Sequence, residues 1–175
     1  SKQLGDGKLL SQLTKKKVVY DFRQNDLKNG GQGAPLTPIF HKMLAKKLNI
    51  VPAIFLNLGG IANHTRVNYI YELNSWDCGP GMCLIDKWIR INSKKKYDEN
   101  GEIAKSGKVN NQILLSYQNQ IGEFWYKTIV KSFDTNDFSL AFIKGLSLKD
   151  GAATLTELTA SLIRQIFVLC SEKSK

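Results

Sequence analysis

The sequence predicts a mixed α/β fold, and three observations carry that prediction. The run Ala53–Leu58 is apolar, stops at Gly59-Gly60 and returns through 61–71 with alternating polarity, the pattern of a β-hairpin. Segments 35–48, 82–91 and 147–170 place apolar residues at helical spacing. Three glycine-rich junctions each end an apolar run: Gly30-Gly31-Gln32-Gly33-Ala34-Pro35, Asn57-Leu58-Gly59-Gly60-Ile61-Ala62-Asn63 and Asp77-Cys78-Gly79-Pro80-Gly81.

In chain order, residues 17–22 (Lys-Val-Val-Tyr-Asp-Phe) read as a short buried strand ending at Asp21. After the first glycine loop, Leu36, Ile39, Phe40, Met43, Leu44 and Leu48 define a helix over 35–48, with Pro35 in its first turn. The hairpin follows, and 69–73 begins a third strand with Asn74-Ser75 as its turn. Met82, Leu84, Ile85, Trp88 and Ile89 predict a helix over 82–91. A polar connection over 94–107 leads to a helix over 109–121, and 124–144 is aromatic and irregular. The last helix, 147–170, carries Ala153, Leu155, Leu158, Leu162, Ile166 and Leu169, with Ser147 or Asp150 as its cap.

The 175 residues suffice for one core, or for a domain plus part of a neighbour. No apolar run approaches the ~20 residues of a membrane span, and the start shows no secretory signal. The formal charge of +10 comes from short lysine runs separated by apolar elements, without aromatic-basic alternation, so solvated lysine is preferred to a nucleic-acid surface. Cys78, Cys83 and Cys170 are odd in number and lack zinc-ligand spacing, which reads as free thiols in a cytoplasmic protein. His41 and His64 have no metal-ligand spacing either, so no metal-binding side chain is assigned.

Glycine at the end of an apolar run lets the main chain turn sharply and approach a ligand. Three such junctions, two with nearby carboxylates or amides, read as the floor of a small-molecule cleft. On residue chemistry alone Asp77 has two readings, a general base or a side-chain cap on the helix that follows.

The motifs are also similar to those of a known family. Asp21-Phe22-Arg23 with Asp26, the first glycine loop with Leu36, Pro38 and Phe40-His41, the other two junctions with Leu84-Ile85-Asp86, the patch Tyr97-Asp98, Gly101 and Gly107-Lys108-Val109, and the run Gly151 to Thr156 with Leu158-Thr159-Ala160 resemble the signature of anhydro-N-acetylmuramic acid kinases. The resemblance spans nearly the whole chain and implies a fold of the sugar kinase, heat-shock chaperone and actin superfamily, with ribonuclease-H-like domains around a nucleotide cleft. Residues 1–34 then end the first domain and cross over, and 35–175 form most of the second, incomplete on its C-terminal side.

The implied reaction opens the 1,6-anhydro bond of 1,6-anhydro-N-acetylmuramic acid with water and phosphorylates O6 from ATP and Mg²⁺, in peptidoglycan recycling. Carried onto this sequence, Asp77 is the catalytic base. Arg23, Asp26, Gln32 and Gly33 bind the sugar, where arginine suits a lactyl carboxylate through its planar fork. Gly59, Gly60, Asn57, Gly79 and Gly81 serve the phosphates. Small-molecule partners are expected, with neither nucleic acid nor membrane, and a homodimer by family.

The sequence departs from the family pattern at Met82, where a polar Asn is usual, and at Cys78, where Thr is usual. The family's N-terminal glycine-rich phosphate loop and C-terminal Gly-Gly-Gly segment are not in these residues. The alternative reading is therefore a truncated, non-catalytic remnant with at most weak sugar binding. Uncovered sheet edges and helix faces would then favour self-association.

Overall fold

The computed structural model describes residues 5–31, 33–128 and 132–172. Its sheet grows from the predicted hairpin. β1 (Ala53–Leu58) and β2 (Ile61–Val67) pair antiparallel, from Ala53 opposite Val67 to Leu58 opposite Ala62. The connection between the strands is Gly59-Gly60, as predicted, with Leu58 opposite Ala62 as the last paired residues before it. β3 (Leu73–Pro80) adds antiparallel to β2, giving the order β1-β2-β3.

The turn before β3 lies earlier than expected. Tyr71 N–H donates to the Asn68 carbonyl at 3.0 Å, and Asn68 Oδ1 accepts from the Ile70 and Glu72 N–H groups at 3.1 and 2.8 Å. Asn74-Ser75 is strand, and so is most of the third glycine junction, Asp77 to Pro80. Pairing with β2 satisfies the backbone of residues whose own propensity favours a turn.

Among the described residues there are seven helices: α1 (Gly7–Thr14), α2 (Phe22–Lys28), α3 (Pro38–Leu48), α4 (Cys83–Asn92), α5 (Glu102–Lys105), α6 (Asn111–Thr128) and α7 (Leu148–Glu172). The strand expected over 17–22 does not form. Lys15 and Asp21 both take left-handed backbone at φ 56° and 66°, Tyr20 packs on Gly7, and Phe22 opens α2. A β-prone run without a neighbouring strand has no ladder to join. α3 starts at Pro38, not at Pro35, and Pro38 fills the helix start where no N–H is needed. The connection over 94–107 contains α5, and α6 extends beyond its expected end to Thr128.

The core lies between helices. Leu84, Ile85, Trp88 and Ile89 of α4 meet Leu155, Leu158 and Leu162 of α7, with Leu114, Phe138 and Ile143 closing the cluster. Trp88 Nε1–H donates to the Leu148 carbonyl at 2.9 Å, and its ring lies against Gly151, where a Cβ would collide with it. Ser147 caps α7 as expected, its Oγ accepting from Asp150 N–H at 3.1 Å and donating to the Asp150 carboxylate at 2.8 Å. Elsewhere apolar side chains face solvent: Leu9, Leu10 and Leu13 of α1, and Ile39, Phe40 and Met43 of α3. No helix among the described residues is long and apolar enough to cross a membrane.

Candidate functional site

Strand register sets Asn57, Asn63 and Asp77 directly across from one another. Phe55, Thr65 and Ser75 form the next row on the same face. α3 covers this face: His41 stacks on Phe55 with ring centroids 4.7 Å apart, and its Nδ1 lies 2.9 Å from Thr65 Oγ1. Ser75 Oγ donates to the His64 carbonyl at 2.7 Å and lies 3.3 Å from Thr65 Oγ1. Burial lowers the His41 pKa, which favours the neutral ring.

Asp77 is half-buried, and its Oδ2 accepts the Phe133 N–H at 2.8 Å. Burial pushes its carboxyl above the ordinary value, and the Phe133 N–H works against that by favouring the ionised form. Oδ1 makes no hydrogen bond among the described residues. The capping reading of Asp77 does not hold. It sits in β3, while α4 begins at Cys83 with Met82 in the N-cap position and no side-chain cap.

The first glycine loop is clamped from both sides. Arg23 Nη1 donates to the Gly33 carbonyl at 3.1 Å, and Asp26 Oδ2 accepts the Gly33 N–H at 2.7 Å. Gly33 needs its glycine, with φ at 70°. The next carbonyl, of Ala34, accepts from Ser132 Oγ at 3.3 Å. Ser132 precedes Phe133, whose N–H holds Asp77, so the loop is tied to the Asp77 row through this segment. Gln32 lies outside the described residues.

The second and third junctions lock together. Gly81 and Cys83 N–H donate to the Gly60 carbonyl at 3.0 and 3.2 Å, and Met82 N–H donates to the Gly59 carbonyl at 2.9 Å. The hairpin turn thereby supplies the acceptors that a helix start needs. Gly79 sits at φ 119°, which favours glycine. At Gly60 a Cβ would meet only Thr135 Cγ2 at 3.6 Å and Cys83 Cβ at 3.9 Å, ordinary contacts. Neither Gly59 nor Gly60 N–H donates a hydrogen bond among the described residues.

The fourth and fifth motif patches bind each other. Lys108 N–H donates to Asp150 Oδ1 at 2.7 Å, Asn110 N–H to Thr154 Oγ1 at 3.0 Å, and a Cβ at Gly107 would collide with the Lys149 carbonyl. Thr159 Oγ1 reaches the Gly81 carbonyl at 3.0 Å, tying α7 to the third junction. These residues brace the site without lining the Asp77 row. No three His, Cys, Asp or Glu side chains among the described residues are grouped to hold a metal ion.

Sequence reasoning missed the contacts behind this row. His64, 1% exposed, has its Nδ1 3.4 Å from Cys78 Sγ and its ring edge-on to Trp76 at 4.5 Å. Its Nε2 is buried without a partner among the described residues. Alternation along β2 puts His64 opposite the polar face, but only the register to β3 brings it to Cys78. Burial pushes its pKa down to about 4, with the nearby Trp76 backbone working the other way.

The unfolded chain therefore binds a proton at His64 between pH 6.5 and about 4 that the folded chain refuses. The contribution of His64 to stability is complete above pH 6.5 and falls as pH drops toward 4, by up to about 3 kcal/mol. Urea unfolding at pH 7.5 and pH 4.5 checks this. The loss of stability at the lower pH should be smaller in His64→Phe, and an equal loss would contradict it.

The family model for anhydro-N-acetylmuramic acid kinase matches residues 1–174. The anhydro-N-acetylmuramic acid kinase of Pelagibacter ubique is 48% identical, with 100% of this chain and 48% of the relative covered. Those of Zymomonas mobilis and Agrobacterium fabrum are 42% and 41% identical, covering 92% of this chain and 44% and 43% of their own lengths. The chain spans about half the length of these curated relatives.

Proposed function

The chain belongs to the anhydro-N-acetylmuramic acid kinase family, and from that premise we propose that its cleft opens 1,6-anhydro-N-acetylmuramic acid and passes a phosphoryl group to O6, in peptidoglycan recycling in the cytoplasm. The observation that carries the reading is Asp77, a half-buried carboxylate fixed through one oxygen by the Phe133 N–H, beside Asn63 and close to the Gly59-Gly60 turn. A general base needs this combination: one oxygen held for aim and one left for the proton.

Asp77 takes a proton from the water that attacks the anomeric carbon; the bond from that carbon to O6 breaks, and the freed O6 accepts the phosphoryl group, leaving ADP. Asn63 and Asn57, whose side chains make no hydrogen bonds among the described residues, offer amides to ligand oxygens along the same row. Arg23 and Asp26 act on the sugar side through the loop they clamp at Gly33, and Gln32 is assigned to the same side by its place in the motif.

The Gly59 and Gly60 N–H groups fit phosphate oxygens, because the turn leaves open the space that a side chain would fill. Gly79 and Gly81 serve by shape, since Gly81 N–H is already engaged. ATP with Mg²⁺ supplies the transferable phosphoryl group when bound. Such an ion commonly keeps several waters and one or two carboxylates, a demand that needs no three-residue cluster. The fold reading that goes with this function is ribonuclease-H-like, with residues 1–34 ending one domain and 35–175 forming most of the next. Pairing of two copies belongs to the same reading.

Calorimetric titration of the chain with the anhydro sugar, and separately with ATP–Mg²⁺, tests it. Sugar binding that weakens in Arg23→Ala or Asn63→Ala is expected. A folded sample that binds neither ligand would replace this reading with the non-catalytic remnant.

A further inference from the structure

The β2–β3 ladder changes register between Ala62 and Asn63: Ala62 faces Gly79, whereas Asn63 faces Asp77. Cys78 is the extra residue, a β-bulge on β3. Had the Ala62–Gly79 register continued, Asp77 would face His64 and lie on the opposite side of the sheet, away from α3 and Asn63. A one-residue slip carries a side chain to the other face. The bulge therefore decides which face of the sheet carries the Asp77 carboxylate.

The bulged residue is buried at 0% exposure with its Sγ 3.4 Å from His64 Nδ1. We infer that His64 is a positioning residue for Asp77: by holding the Cys78 thiol on the far face, it fixes the bulge that keeps Asp77 in the Asn63 row. The unpartnered Nε2 supports this. A buried nitrogen without a partner weakens a fold, and an apolar ring of similar size would pack against Trp76 without that penalty. Local choices that work against stability concentrate at functional sites. The inference rests on Asp77 being the base, but its structural half is measurable without turnover.

The Phe133 amide reports the position of Asp77, because its N–H donates to Asp77 Oδ2 at 2.8 Å. Hydrogen exchange at this amide, followed by NMR on the labelled chain, reads out the contact, with Ile89 in α4 as the control. In His64→Phe, Phe133 should exchange roughly tenfold faster while Ile89 keeps its protection. His64→Asn, whose side-chain amide can stand near the Nδ1 position, should stay within about twofold of the parent. Cys78→Ala removes the other partner and should match His64→Phe, which covers the case in which the phenylalanine variant does not fold. Unchanged Phe133 exchange in both His64→Phe and Cys78→Ala overturns the inference. Loss of protection at Ile89 as well also overturns it, by making His64 a residue of the fold alone. If Phe133 responds as expected but Asp77→Asn leaves turnover intact, the base reading fails and the positioning result stands.

Discussion

Asp77→Asn should lower phosphorylation of the anhydro sugar by about 10²–10⁴-fold, the usual contribution of a positioned general base. The assay belongs in this chain joined to the flanking sequence of a full-length relative, because the chain spans about half of those proteins. Asn keeps the shape of the carboxyl, and its Oδ1 can still accept the Phe133 N–H, so the loss would report on proton transfer and not on a collapsed loop. The same substitution should raise the melting temperature at pH 7. Burial raises the folded pKa of Asp77, so the group favours folding at low pH and opposes it as pH rises through the folded value. Asn removes that opposition, and its advantage should shrink as the solution is acidified and the parent carboxyl becomes neutral. Calorimetric melts at pH 7 and pH 4 measure the effect. Unchanged turnover would remove Asp77 from the chemistry. A lower melting temperature at pH 7 would show that its charge stabilises the fold.

Why Asp77 could be picked out while its surroundings could not is a matter of range. The hairpin and the helices α4 and α7 were legible because apolar residues at periods of 2 and 3.6 need only their own segment to be read. β3 was not, because Asp77-Cys78-Gly79-Pro80 has local turn chemistry, and only the ladder to β2 makes it a strand. The opposite error arose at 17–22, where Val18-Val19-Tyr20 carries β propensity but meets no strand among the described residues. α2 was invisible for a related reason: Phe22–Lys28 contains little apolar sequence to set a period. The Asn57, Asn63 and Asp77 row depends on two pairings and one bulge, three long-range facts with no local trace. The glycine junctions marked where a site would gather, and the register decided which side chains share it.

Two of those glycines separate fold from function. Gly81→Ala should destabilise the chain by about 3 kcal/mol or more, because a Cβ there would collide with the Gly59 carbonyl and stand 3.1 Å from Ala62 N. Both neighbours are backbone and have no rotamer in which to escape. Pushing the hairpin away would also strip acceptors from the Gly81, Met82 and Cys83 N–H groups, at about 1–3 kcal/mol for each buried donor left unpaired. Gly60→Ala should behave differently. Its Cβ finds only ordinary contacts, so stability should stay within about 0.5 kcal/mol of the parent. Yet a methyl group added to a turn that offers its N–H groups to phosphate oxygens would crowd them, and ATP–Mg²⁺ affinity should fall while sugar affinity holds. Urea melts and paired titrations on the two variants check the contrast. If Gly60→Ala keeps full nucleotide affinity, the phosphates approach elsewhere. If Gly81→Ala melts like the parent, the hairpin does not cap α4 as its hydrogen bonds indicate.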